Sequence, residues 1–77
     1  MANNVDVAKY MIDELLSNGL LYQNDVVEDI FSKFGESFTY VNENGNLAIS
    51  KDVLKEFKKL KQEYNVEWDR TEKYWTV

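Results

Sequence analysis

Residues 51–64, KDVLKEFKKLKQEY, followed after Asn65 by residues 66–77, VEWDRTEKYWTV, decide how this chain folds. In the first stretch Val53, Leu54, Phe57, Leu60 and Tyr64 recur at intervals of three and four, the spacing that lines up one face of an α-helix. Lys51, Lys55, Lys58 and Gln62 take the opposite side, flanked by Lys59 and Lys61. Ser50 is placed to cap the helix, and Asp52 near its start and the lysines further along both suit the helix dipole. In the second stretch the period drops to two. A turn centred on Thr71-Glu72 puts Val66 opposite Val77 and Trp68 opposite Trp75, and such β-branched and aromatic pairs stabilise a two-stranded ribbon. Arg70 and Lys73 then sit at its tip. The rest of the reading depends on a helix that shows its ammonium groups to water, with a ribbon folded back beside it.

Upstream of that helix lies FTYVNENGNLAIS, residues 38–50. Two β-favouring runs flank Asn44-Gly45, a dipeptide suited to a two-residue type I′ turn. Pairing across such a turn places Phe38, Tyr40, Leu47 and Ile49 on one face. Further back, two helices are predicted. The first runs from about Asn4 to Asn18, with Asn4 as cap, Gly19 as the left-handed stop, and Val5, Ala8, Met11, Ile12, Leu15 and Leu16 as its apolar face. The second runs from about Asp25 to Phe34, with Asn24 as cap and Val26, Val27, Ile30, Phe31 and Phe34 as its buried stripe. Helix, helix, short hairpin, helix, terminal hairpin is the order of a winged helix. The expected fold is therefore α+β and winged-helix-like, a single domain over residues 1–77 with the C-terminal hairpin as its wing.

The same stretches carry a resemblance. FTYVNENGNLAISKDVLKEFKKL followed by VEWDRTEKYWTV resembles a family of short, uncharacterised bacterial and phage proteins held as a domain of unknown function, from about Leu21 to Val77. Its recurring features are a Tyr-x-Asn-Glu-Asn-Gly-Asn run before an apolar pair, a Val-Leu-x-x-Phe helix and a closing Trp-containing hairpin. Here these are Tyr40 to Asn46, Leu47 with Ile49, Val53-Leu54 with Phe57, and Trp68 with Trp75. Relatives carry basic residues after the last tryptophan; Thr76 and Val77 stand there in this chain. The resemblance implies no activity.

Composition narrows the functions available. The chain has no cysteine and no histidine, which removes disulfides, thiolate metal sites, the commonest zinc ligand and the usual neutral-pH base. A hydrophobic fraction of 44% with eleven aromatic residues is enough for a packed core. Charges interrupt every window of the length a membrane span needs, and MANNVDVAKY lacks the basic-then-apolar pattern of a secretory leader, so cytoplasmic residence is expected. Gly19, Gly35 and Gly45 form no phosphate cradle, and no nucleophile–base pair exists, so an enzyme and a bound cofactor are not expected. Asn42-Glu43-Asn44-Gly45-Asn46 has the look of a calcium loop. Counting with Gly45 at the sixth position puts Tyr40 at the first and Lys51 at the last, where oxygen ligands are required. A turn is the better reading. Asp25, Glu28 and Asp29 cluster at a helix start, where the dipole alone accounts for them.

The net charge of −5 is unevenly spread. Residues 1–50 hold eight acids (Asp6, Asp13, Glu14, Asp25, Glu28, Asp29, Glu36, Glu43) against Lys9 and Lys33, a balance of −6; residues 51–77 hold seven bases against six acids, +1. Two partners fit this. Lys51, Lys55, Lys58 and Lys59 on the third helix, with Arg70 and Lys73 on the wing, are the elements a winged helix lays on DNA. The early turns of that helix lack the Arg, Asn or Ser/Thr that read base edges, and Asp25, Glu28, Asp29 and Glu36 on the second helix would repel phosphates, both of which favour the plainer reading of a solvated lysine face. Alternatively the acidic face of the first two helices, with Asp25, Glu28, Asp29 and an exposed Tyr10 as anchor, would meet a basic protein. No small-molecule substrate is expected. A C-terminal hairpin with an open edge would also allow strand pairing between two copies, so a monomer or a weak dimer is expected.

Overall fold

The computed structural model describes residues 3–77. Met1 and Ala2, on which the leader reading and the start of the 1–77 domain partly rest, lie outside the described residues. The order of elements is α1 (Asn4–Asn18), β1 (Leu20–Tyr22), α2 (Gln23–Phe34), a 3₁₀ turn (Glu36–Phe38), β2 (Thr39–Val41), β3 (Leu47–Ile49), α3 (Lys51–Tyr64), β4 (Glu67–Asp69) and β5 (Tyr74–Thr76). This is the expected α+β, winged-helix-like fold. Among the described residues no helix is long and apolar enough to cross a membrane.

The ribbon folds as its alternation requires. β4 and β5 pair antiparallel with Trp68 opposite Trp75. β1 is an element that the periodicity of the sequence does not announce. It adds to the far side of β5, with Leu21 opposite Trp75, so the sheet order is β1-β5-β4 and the last strand is the central one. The open edges are therefore β1 and β4. Threonine seals this junction: Thr76 Oγ1 donates to the Gly19 carbonyl at 3.1 Å.

β1 also explains why α2 starts at Gln23, ahead of the predicted Asp25. The strand runs straight into the helix, so Asn24 is helical and no side chain caps the start. The wing supplies the missing partner. Gln23 N–H donates to the Lys73 carbonyl at 3.0 Å, satisfying one of the free amides of a helix N-terminus. In α1 the cap is Asn3, one residue before the predicted Asn4. Asn3 Oδ1 accepts from Asp6 N–H at 2.9 Å while Asp6 Oδ2 accepts from Asn3 N–H at 3.2 Å, a reciprocal box that Asn4 cannot form.

The core joins Val7, Ala8, Met11, Ile12 and Leu15 of α1 to Leu21, to Val26, Val27 and Ile30 of α2, and to Ile49, Val53, Phe57 and Trp75. α1 packs chiefly along α3. The predicted stripes hold at their centres and fail at their margins. Val5, Leu16, Phe31 and Tyr64 are exposed, Leu16 by 45% and Phe31 by 46%, whereas Val7 is fully buried.

The β2–β3 hairpin departs from its predicted register. Thr39 pairs with Ile49, Tyr40 with Ala48 and Val41 with Leu47, so Tyr40 lies on the face opposite Leu47 and Ile49, and Phe38 belongs to the 3₁₀ turn. The loop has three residues in place of two. Asn42 N–H donates to the Asn46 carbonyl at 2.8 Å, Gly45 N–H donates to the Asn42 carbonyl at 2.9 Å, and Gly45 has φ +80°. This is a type I turn closed by a left-handed residue. The Asn42 carboxamide favours it, since Oδ1 accepts from both Asn44 and Asn46 N–H at 3.0 Å. One added loop residue moves every side chain of one strand to the other face.

Candidate functional site

α3 turns its apolar face to α1 and its lysines outward. Val53 and Phe57 are buried, Leu54 and Leu60 are half-buried, and Lys51, Lys55, Lys58 and Lys59 are exposed. Ser50 holds the start of the helix by accepting from Asp52 N–H at 3.3 Å. The charges around the helix are sorted. At 3.6 residues per turn, Lys61, Lys58, Lys51 and Lys55 follow one another from the flank beside the wing to the outer surface, and Asp52, Glu56 and Glu63 share the opposite flank. Among the described residues the one ion pair joins Lys59 Nζ to Glu56 Oε1 at 3.3 Å. Lys51, Lys55 and Lys58 have no carboxylate partner among those residues, so their charge is uncompensated.

Lys58 and Lys61 border a groove of about 320 Å³ between α3 and the wing, walled also by Gln23, Leu54, Phe57, Trp68 and Trp75. Three rings form a ladder there. Phe57 and Trp75 meet edge to face with centroids 5.0 Å apart, and Trp75 and Trp68 lie 4.8 Å apart at a tilt of 44°. Trp75 is buried, whereas Trp68, on the edge strand, remains 41% exposed. Lys61 Nζ sits 5.7 Å from the Phe57 ring centroid, within cation–π range. Burial, and then the neighbouring Lys58 charge, hold the Lys61 ammonium below the ordinary lysine pKa.

The wing tip does not extend this basic surface. Asp69 Oδ1 folds the turn by accepting from Thr71 and Glu72 N–H at 2.9 and 3.0 Å. Arg70 is exposed on the outer side, in a hollow it shares with Glu67, Asp69 and Trp68, whose ring thus borders this hollow as well as the groove. Lys73, in a left-handed conformation at φ 57°, borders a separate cleft of about 410 Å³ with Asn24, Glu28, Asn42 and Asn46. The six residues expected to form one basic edge therefore divide. The four lysines of α3 share one exposed side of the helix, while Arg70 and Lys73 each lie beside acids.

Among the acidic candidates, Asp25, Glu28 and Asp29 are all exposed on α2. Asp25 and Asp29 border a groove of about 310 Å³ with Glu14, Leu20 and Tyr22 along the free edge of β1. Glu28 faces the Lys73 cleft instead. Tyr10 is not the exposed anchor expected. It is half-buried, its ring meets Phe34 edge-on at 5.6 Å with Lys33 Nζ 5.6 Å from its centroid, and its hydroxyl donates to Glu14 Oε1 at 3.0 Å. Burial first, then the Glu14 hydrogen bond and the Asp29 charge, push its pKa far above the ordinary tyrosine value. Among the described residues no three carboxylates are arranged to hold a metal ion.

Trp68, Lys61 and Gln23 are absent from the site expected from sequence. The signal that could have exposed Trp68 is the β-favouring Leu20-Leu21-Tyr22 run after Gly19. Once it is seen as a strand beside β5, β4 becomes an edge and its tryptophan half-free.

No curated protein and no solved structure matches the chain. A family model matches residues 3–77, so the likeness seen in sequence from Leu21 onward extends back through α1. The chain belongs to the family of unknown function DUF6953.

Proposed function

We propose that this chain is a small non-enzymatic nucleic-acid-binding domain of bacterial or phage origin that works in the cytoplasm and grips the phosphate backbone with α3. One observation carries the reading. Lys51, Lys55 and Lys58 gather on the outer and wing-side faces of α3 without carboxylate partners, and its acids keep to the other flank. A line of unpaired ammonium groups on an exposed helix is the electrostatic footprint of a phosphate contact. Such binding is driven by counterion release, so affinity falls linearly with salt on logarithmic axes. The test uses one mixed-sequence oligonucleotide, single-stranded and annealed, titrated from low to moderate salt. Binding that weakens with salt is expected. Replacing Lys55, Lys58 and Lys59 by Gln flattens the slope by up to about 0.9 for each phosphate that is no longer neutralised. Absence of binding to both forms at low salt overturns the proposal.

A second reading is favoured by the groove along β1. Asp25, Asp29 and Glu14 surround the exposed Leu20 and Tyr22 there, a combination that suits a basic segment of a host protein. Charge reversal at Asp25 and Asp29 would abolish such an association without weakening nucleic-acid binding. The exposed edges of β1 and β4 are three residues each, so strand pairing between copies would be weak.

A further inference from the structure

We infer that the groove between α3 and the wing seats one base of a single-stranded nucleic acid, stacked on Trp68, with the adjoining phosphates on Lys58 and Lys61. The inference rests on the nucleic-acid reading above and narrows it from phosphate binding in general to an unpaired strand. Three observations lead to it. Trp68 belongs to an edge strand and keeps 41% of its surface exposed, although its partner Trp75 is buried. A half-exposed indole that lines a groove and has another ring packed against it is a stacking platform, and any base can use it. Lys58 and Lys61, one turn apart, lie on the same side of the groove with no acid between them. Like charges at that spacing repel, and an anion placed between them removes the repulsion. Finally, Lys51, Lys55, Lys58 and Lys61 step along α3 at each turn of about 5.4 Å, so the cations form a line that runs into the groove.

The chemistry favours a strand over a duplex. A duplex offers phosphates and base edges, but its base faces are stacked on one another. The leading turns of α3 lack the Arg and Asn that make most bidentate contacts to base edges, and carry Lys51, Asp52, Leu54 and Lys55 instead. A single strand offers both a free base face and a charge on every residue. Gln23 at the margin of the groove adds one amide for the edge of the seated base.

The test measures the binding of a labelled mixed-sequence strand and of its duplex to the full chain at fixed low salt. The strand is expected to bind more tightly and to quench indole fluorescence. Trp68→Ala should weaken strand binding roughly ten- to a hundredfold and leave duplex binding unchanged, while Trp68→Phe keeps most of the affinity. Should Trp68→Ala lose its helical circular dichroism, Trp68→Phe and the surface change Lys58→Glu decide the matter, the latter weakening the strand more than the duplex. Equal binding of strand and duplex, both indifferent to Trp68, overturns the groove assignment and leaves the phosphate reading standing. Binding to neither removes both. An acidic, aromatic-containing peptide that binds through Trp68 where the strand does not would reassign the groove to a protein and overturn the inference.

Discussion

Tyr10 shows how one residue can be read correctly for type and wrongly for place. Helical spacing puts it on the polar side of α1, and it does leave the central stripe. What the spacing cannot show is that α2 returns along that flank and brings Phe34 against the ring. The consequence is measurable in pH. The unfolded phenol titrates at its ordinary 10.0 and the folded one well above it. Between those values the native state keeps a proton that the unfolded chain has lost, so stability falls as pH rises through and beyond that ordinary value. Tyr10→Phe removes the hydrogen bond to Glu14, costing about 1 kcal/mol near neutral pH, and also removes this titration. Thermal unfolding of the two proteins should show a gap that narrows above about pH 10; parallel curves would mean that the phenol is not held. Trp68 is the converse case. Its cross-strand partner is legible from the period-two pattern, but its exposure depends on which side of β5 a third strand occupies, and that is a long-range fact.

At the scale of elements, local chemistry determines more than pairing does. The α3 boundaries, the Ser50 cap, the Gly19 stop and the Trp68–Trp75 register all follow from residues within one turn or one hairpin of each other. β1 escapes a reading of the sequence because three residues carry too little periodicity to register, and its pairing depends wholly on the far end of the chain. The β2–β3 register is misleading for a different reason. Asn44-Gly45 suits a two-residue turn, but the Asn42 side chain reaches two amides only when the loop has three residues. Gly45 then carries the left-handed position, where a Cβ meets no neighbour within 4 Å but strains the backbone. Gly45→Ala should therefore cost about 1–2 kcal/mol. In a domain of this size that lowers the melting temperature by about 4–8 °C per kcal/mol. Gly45→Asn should cost less, since Asn tolerates this conformation. Equal melting of all three proteins would contradict the turn assignment.

For the molecule as a whole, the proposed binding face has to work against a net charge of −5. The described residues span 31 × 28 × 19 Å. At about 0.01 M salt the screening length is roughly 30 Å, so the α2 carboxylates oppose an approaching polyanion wherever it lands; at about 0.15 M it is roughly 8 Å and they do not. Neutralising them with Glu28→Gln and Asp29→Asn should raise nucleic-acid affinity several-fold at the lower salt and leave it unchanged at the higher. A gain that persists at the higher salt would place those acids inside the contact itself. The sheet order has a separate consequence, for biosynthesis. β5 lies between β1 and β4, and its seal to Gly19 joins residues 57 positions apart. While the chain is still being made, α1 and α2 can coil, but Leu21 has no neighbouring strand and the core has no Trp75 to close it until residues 74–76 emerge. Assembly is thus held back until β5 has left the ribosome, and a ribosome stalled before that point carries a nascent chain with its apolar stripes open to chaperones and proteases.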